Sequence, residues 1–598
     1  MQLPSGGFAA LLHTLQLSQG LYKPTPPAGP TSYTKTLAGT NSYSSYGSSG
    51  DDAASQTSDD SDGSCVGVPY DAPVADQAFA PFDAAKATVY RYRQQQSVNL
   101  GSWFVHEAWM TPSPFTCAAG DQVSEVDIAH GWGSTSGARS VLERHWDTFI
   151  NESDFQYLAR IGINTVRLPI GYWNLGPDFV QNTPYADVGD VYQNSWPRIM
   201  RTINTAAANG IGVLVDLHGA PGSQNGQQHS GISDGQADLF DSPAFINQTM
   251  AVLTYLMREL AYVTNVVGIQ ILNEPENVPS LTDFYDQAIA AMREVYPQAN
   301  MPLYLHDGFD LDRFTDYVAN RKDFVVQDHH SYFVFTPSDS SEPASQHTSD
   351  IRNGIADSLR QASLAERRNL VVDEFSCALT DDSLENEPDP DQARMDFCTG
   401  QIEMYANTTA GWSFWAYRKE DCMDDPGWCF GAAVGKSLPS TFFSYGAPPF
   451  TPEPTQLPDM STLSEGMTPP SDEQDPSAGN RPPQYDSYSQ DDSSAPPAFQ
   501  DPPGYPQGAP NDNGPSSASQ QASKIRGYKD GFLTARIFAL YNLSRLGFIG
   551  QYITDSLAAL GPGIISPGTE SFYEEGFMRG LADGEAVVSA GLGASGQR

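Results

Sequence analysis

Positive charge is scarce in this chain of 598 residues: 32 Lys and Arg stand against 72 Asp and Glu, a formal net charge of −40. Nucleic-acid binding needs clustered basic side chains that neutralise phosphates and release counterions. That partner class is excluded, and with it an anionic membrane surface and a polyanionic substrate. A neutral substrate raises no such conflict. Much of the acidity falls in segments that read as linkers, where it serves solubility. Long apolar runs are also missing. None approaches the roughly 20 residues needed to span a bilayer, so no integral membrane segment is expected. The opening residues, MQLPSGGFAALLHTLQLSQG, have no basic start, and His13 and Thr14 interrupt their apolar run. That is a poor secretory leader. The expectation is a cytoplasmic protein, with secretion or the cell wall as the alternative.

Cysteine is sparse too. Six in a chain of this length do not make a disulfide scaffold. Cys65 lies in a stretch too polar to fold, and Cys117, Cys377 and Cys398 read as ordinary barrel or loop thiols. Cys422 and Cys429 are close enough in sequence to bridge a small loop, and that pairing stays open. No pair has the spacing or histidine partners of a zinc site, and no G-x-G-x-x-G opens a helix. Neither a metal nor an organic cofactor is called for.

What the chain does contain is sorted into blocks. Residues 1–85 are mostly Ser, Thr, Gly, Asp and Pro, with too few apolar residues for a core, and read as a disordered arm. A second such block, 446–524, reads as a disordered linker. Residues 525–598 read as a helical tail, in which Tyr528-x-x-Gly531-Phe532 is echoed by Tyr573-x-x-Gly576-Phe577. Packing of these helices on the folded domain or on each other is the simpler role; docking of a protein partner is the alternative.

The remaining segment, 86–445, alternates short β-branched runs with helix-period stretches. Strands are expected at 97–105, 164–170, 211–218, 266–274, 302–306, 324–330, 369–375 and 411–417, with helices between most of them. Eight such units over some 320 residues fit an α/β fold of the (β/α)8 barrel type better than an open sheet. Barrel chemistry sits at the C-terminal strand ends. Those ends supply Glu107, Arg167, His218, Asn273, Glu274, His306, Asp307, His329, His330, Tyr332, Glu374 and Trp415. Any one of them has a dull explanation as a satisfied polar side chain; their common end is what counts.

Glu274 and Glu374 each close an apolar strand, ILNE and VVDE. Glycoside hydrolysis needs such a pair, an acid at the leaving oxygen and an ionised partner beneath the anomeric carbon. Arg167 and Tyr332 would depress the pKa of Glu374 as nucleophile, and a less charge-compensated site would keep the proton on Glu274. Strand alternation points Asp373 away from Glu374, to a structural role.

The segments VNLGSWFVHEAWMTPSPF (98–115), ESDFQYLARIGINTVRLPIGYW (152–173), VLVDLHGAPGSQNG (213–226), ILNEP (271–275), LHDGF (305–309), VVQDHHSYFVF (325–335), VVDEFSCALTD (371–381) and GWSFWAYRKED (411–421) carry a resemblance. Over about 95–435 the chain resembles glycoside hydrolase family 5, and within it the fungal exo-β-1,3-glucanase group. The resemblance implies Glu274 as acid/base and Glu374 as nucleophile. It also implies Arg167, His218, Asn273, His330 and Tyr332 around the −1 sugar, Trp415 as a stacking platform, and Glu107 as a grip on the terminal glucose. The substrate it implies is a neutral β-glucan or β-glucoside. One turn departs from the group, which follows SQNG with an aromatic and then Asp-Asn; here Gln228 and His229 stand in place of Asp-Asn. Exo mode and linkage preference are therefore less determined than the chemistry. Two other readings are a β-glucosidase acting on a glucosylated lipid and a non-catalytic glucan-binding scaffold.

Overall fold

The computed structural model describes residues 65–75, 77–449 and 515–595. The expected arm over 1–64 and most of the expected linker lie outside the described residues.

Eight parallel strands close into a barrel in chain order: β1 Gln95–Asn99, β2 Thr165–Gly171, β3 Gly212–Gly219, β4 Val266–Gln270, β5 Leu303–His306, β6 Val325–Ser331, β7 Leu370–Phe375 and β8 Gly411–Phe414. The (β/α)8 fold is the one read from the sequence. Its strands are buried nearly throughout because helices cover them on one side and the lumen fills on the other. Val166, Leu168, Val213, Val215 and Leu217 join the main core with helix residues such as Ile199, Ile203, Leu253 and Leu256. The helices carry their own start and stop signals. Over Glu152–Ile161, Asn151 caps the N-terminus, Asp154 accepts from the Asn151 amide, and Gly162 at φ 100° ends the helix.

Register shifts in four strand pairs break the alternation that sequence reading assumes. In β7 the register shifts between Val372 and Phe375. Asp373 therefore does not turn away as expected. It is buried, and it stands among Arg167, Asp328 and His330, whose charges act on it. An extra residue in one strand removes the period of two on which the expectation rested.

The N-terminal boundary and the cysteines need correction. Residues 65–75 and 77–82 run along the barrel wall: Arg198 donates to the Ala72 carbonyl and Tyr70 to Asp147. Cys65 pairs with Cys117, Cys377 with Cys398, and Cys422 with Cys429, leaving no free cysteine. Composition hid the first two pairs because their partners are 52 and 21 residues apart; the second ties the loop after β7 to the helix Pro390–Thr408.

The tail begins earlier than expected, with helices Ser517–Ala539, Ile549–Leu560 and Glu570–Ser595. Their aromatic and aliphatic side chains, Phe538, Phe548, Tyr552 and Phe577 among them, share one cluster with the lumen-floor residues Leu214, Val267, Tyr304, Val326 and Val371. The helix Ala84–Tyr92 contributes Val89, Tyr90 and Tyr92 to that cluster. The tail thus closes the end of the barrel opposite the strand C-termini. No described helix is long and apolar enough to cross a membrane.

Candidate active site

The site is built from side chains that leave the C-terminal strand ends and converge on one guanidinium. Arg167 on β2 is wholly buried. Its Nε donates to Gln270 Oε1 at 2.8 Å, Nη1 to Asn99 Oδ1 at 2.9 Å and Glu374 Oε1 at 2.7 Å, and Nη2 to Asn273 Oδ1 at 2.6 Å. Asp216 Oδ2 lies 3.1 Å from Nη2. A buried cation survives only when its donors are met, and here strands 1, 3, 4 and 7 meet them. The same bonds fix Asn273 and Glu374.

A second hub is His330 on β6. Its Nδ1 lies 2.7 Å from Glu274 Oε1 and 3.5 Å from Glu374 Oε2, and its Nε2 lies 3.0 Å from Asp328 Oδ2. Burial works against its charge, but Glu374 and Asp328 raise its pKa well above the ordinary value. It is an imidazolium with a carboxylate on each side. One nitrogen 2.7 Å from a Glu274 oxygen and 3.5 Å from a Glu374 oxygen keeps those two oxygens within about 6.2 Å, short of the wider gap of inverting enzymes that admits a water.

Tyr332 donates to Glu374 Oε2 at 2.8 Å. His218 gives its Nδ1 to Asp216 at 2.7 Å and stacks on Trp415, rings 5.6 Å apart and 8° from parallel. Burial holds the His218 pKa far down, so it is neutral. Glu107, in the loop after β1, accepts from the Trp109 indole at 2.8 Å. Burial, with the charges of Glu374 and Glu274 nearby, lifts its pKa to about 8. It therefore carries a proton that it can donate to a hydroxyl.

The two glutamates do not titrate as the sequence suggested. Burial lifts Glu374 to about 7 despite the opposing pull of His330 and Arg167. Burial would raise Glu274 as well, but the hydrogen bond and charge of His330 hold it well below the carboxylate range. The expectation credited Arg167 and Tyr332 to Glu374 and overlooked the imidazolium nearer to Glu274. Below about pH 7 the empty site thus holds a proton on Glu374 and none on Glu274.

Residues 129–421 match the family model described as Cellulase (glycosyl hydrolase family 5). The chain is 34% identical over 341 residues to glucan 1,3-beta-glucosidase 3 of Schizosaccharomyces pombe, covering 56% of this chain and 71% of that one. The chain belongs to glycosyl hydrolase family 5. Two further relatives are the probable glucan 1,3-beta-glucosidase A of Aspergillus niger, 31% identical over 58% of this chain and 87% of that one, and glucan 1,3-beta-glucosidase 2 of Candida albicans, 27% identical over 58% and 83%. It is an O-glycosyl hydrolase.

As a family 5 domain, it brings Arg167, His218, Asn273, Glu274, His330, Tyr332, Glu374 and Trp415 into one network, with Glu107 beside it. His329 falls outside: it turns to Asp307, 2.7 Å away. Sequence reading missed Asp216, Gln270 and Asp328. Each is polar, lies in a strand and precedes a site residue by two or three positions, which was the available signal. Among the described residues, Glu274, His306 and His330 are the group whose ligand atoms lie within 4.8 Å of one another. Both His330 nitrogens are already engaged by carboxylates, and His306 Nδ1 accepts from the Gly308 amide at 3.0 Å. With both His330 nitrogens engaged the group is a proton network, in which His306 Nε2 is buried without a hydrogen-bond partner among the described residues.

Proposed function

We propose that the protein is a retaining β-glucosidase that releases glucose from β-1,3-glucan, with Glu374 as nucleophile and Glu274 as acid/base. The observation that carries this reading is the close glutamate pair spanned by one His330 nitrogen, with Glu374 gripped by Arg167 and Tyr332. Two bonds fix the Glu374 oxygens for attack, while Glu274 has one oxygen outside its His330 bond with which to meet a leaving group.

In the first half-reaction Glu374 bonds to the anomeric carbon as the glycosidic bond breaks, and Glu274 gives its proton to the departing oxygen. In the second, Glu274 takes a proton from water, whose oxygen displaces Glu374 and regenerates the starting anomer. Catalysis needs the pair's proton on Glu274, although the empty site favours Glu374. Substrate binding has to move that proton, and His330 Nδ1, 2.7 Å from Glu274 and 3.5 Å from Glu374, is the group that stands between them. Asn273, locked by Arg167, is set to bond the sugar 2-hydroxyl, and Trp415, backed by His218, offers a face for the ring. The names of the relatives favour the β-1,3-glucan substrate.

Three disulfides favour an oxidising compartment over the cytoplasm, where thiols stay reduced; secretion or the cell wall is the location we assign. For the tail, whose apolar side chains meet the barrel floor, we assign closure of the base rather than partner docking.

Product analysis on laminarin tests the function. Proton NMR should show β-glucose released first, mutarotating later to α. Release of α-glucose, or of no glucose, defeats the reading.

A further inference from the structure

Glu274 has two oxygens with different neighbours. Oε1 is taken by His330 at 2.7 Å. Oε2 is left for the proton that goes to the leaving group, and His229 Nε2 stands 3.7 Å from it. That distance is too long for a hydrogen bond. It leaves the imidazole beside the path of the departing oxygen.

The loop after β3 holds His229 in place. It sits in the short turn Gln228–Ser230. Ser230 Oγ is 2.6 Å from Ser223 Oγ and donates to the Gln227 carbonyl. The next residue, Gly231, has φ 92°, and a Cβ there would strike Trp173 and Tyr185. The turn is thus pinned at its C-terminal end. Asn225 Nδ2 lies 3.4 Å from His229 Nε2 and donates to the Glu274 carbonyl at 2.9 Å, tying the turn to the acid's own backbone. The ring packs edge-on against His218, centroids 5.3 Å apart. Its side chain stays 18% exposed, toward the mouth. Burial lowers the His229 pKa to about 4, so above that pH the ring is neutral; Asn225 Nδ2 can only donate, which makes Nε2 the acceptor and leaves the Nδ1–H as the ring's donor.

We propose that His229 is a specificity-determining residue on the leaving-group side, which hydrogen-bonds a hydroxyl adjacent to the departing oxygen. This rests on the glucosidase reading above. A departing sugar linked through a ring hydroxyl carries such neighbours; an alkyl alcohol carries none. His229 therefore favours sugar leaving groups over alkyl ones, without taking part in proton transfer. The preference is strong where a buried polar group is left unpaired by the wrong substrate, and smaller here because the ring is partly open to water.

The test compares kcat/KM of the full chain and its His229→Ala variant on laminaribiose and on hexyl β-glucoside. Both leaving groups need the Glu274 proton, but only the first has hydroxyls beside the departing oxygen. The substitution should lower the laminaribiose value by about tenfold or more, and the hexyl value by less than about threefold. His229→Asn, which keeps a donor and an acceptor, should recover part of the loss. Equal losses on both substrates, or no loss on either, overturn the inference. A wild-type protein that hydrolyses neither substrate instead defeats the glucosidase reading. A variant with a lowered melting temperature is set aside for His229→Asn, whose equal effect on the two substrates also overturns the inference.

Discussion

Arg167 sets the geometry of the whole site, because four side chains, Glu374 among them, accept hydrogen bonds from it and Asp216 pairs with it at 3.1 Å. Roles at this scale are separable by azide. Glu374→Ala should lose turnover by several orders of magnitude, and added azide should yield α-glucosyl azide from a dinitrophenyl β-glucoside, seen by NMR. Glu274→Ala should keep glycosylation of that activated substrate and give β-glucosyl azide instead. Exchanged products would reverse the assignment. The pair's shared proton makes a second prediction. Glu374 lies at about 7 in the empty site, so the pair keeps its proton below that pH and loses it above. The kcat/KM profile should hold below pH 7 and fall through a basic limb near 7; a limb near 4.5 would mean that the glutamates do not share a proton. The two glutamates were legible in the sequence because each ends an apolar run. Their titration was not, because it depends on an imidazolium whose placement comes from β6.

The strands were the most legible elements, since each is a short apolar run bounded by turn residues, and all eight occur within a few residues of their expected positions. Bulges were not legible, which is why Asp373 faces the charge cluster. The tail lies between these cases. Its Tyr-x-x-Gly-Phe echo is the imprint of two helices in close contact. A Cβ at Gly527 would run into the Tyr573 carbonyl oxygen, and one at Gly580 into that of Tyr528. Both helices need bare backbone at the crossing, as the repeat spacing supplies on one face of each. Gly580→Val should force the pair apart and cost about 1–3 kcal/mol in urea unfolding. Gly563→Val, at a glycine with open space around it, is the control and should shift stability by less than about 0.5 kcal/mol. Equal effects would mean that the helices do not pack as described.

Across the whole molecule, the barrel is fastened from below by the tail and along its wall by the segment that starts at Cys65. The Cys65–Cys117 bridge closes a span of 52 residues. On a chain-entropy basis, opening it with Cys65→Ser should cost about 4 kcal/mol, read as a lower urea midpoint, while the site stays assembled. An unchanged midpoint, or free thiols in the purified native protein by mass spectrometry, would count against the pairing. The net charge of −40 adds nothing to substrate capture when the substrate is neutral, so kcat/KM on laminari-oligosaccharides should hardly change with ionic strength. The claim beneath all of this is a covalent glucosyl intermediate on one named glutamate. Its most direct measurement is peptide mapping by mass spectrometry after the full chain is treated with a 2-deoxy-2-fluoro-β-glucosyl fluoride. The adduct should appear on Glu374 alone; an adduct on Glu274 or another residue, or inactivation-free turnover with no adduct at all, would contradict it.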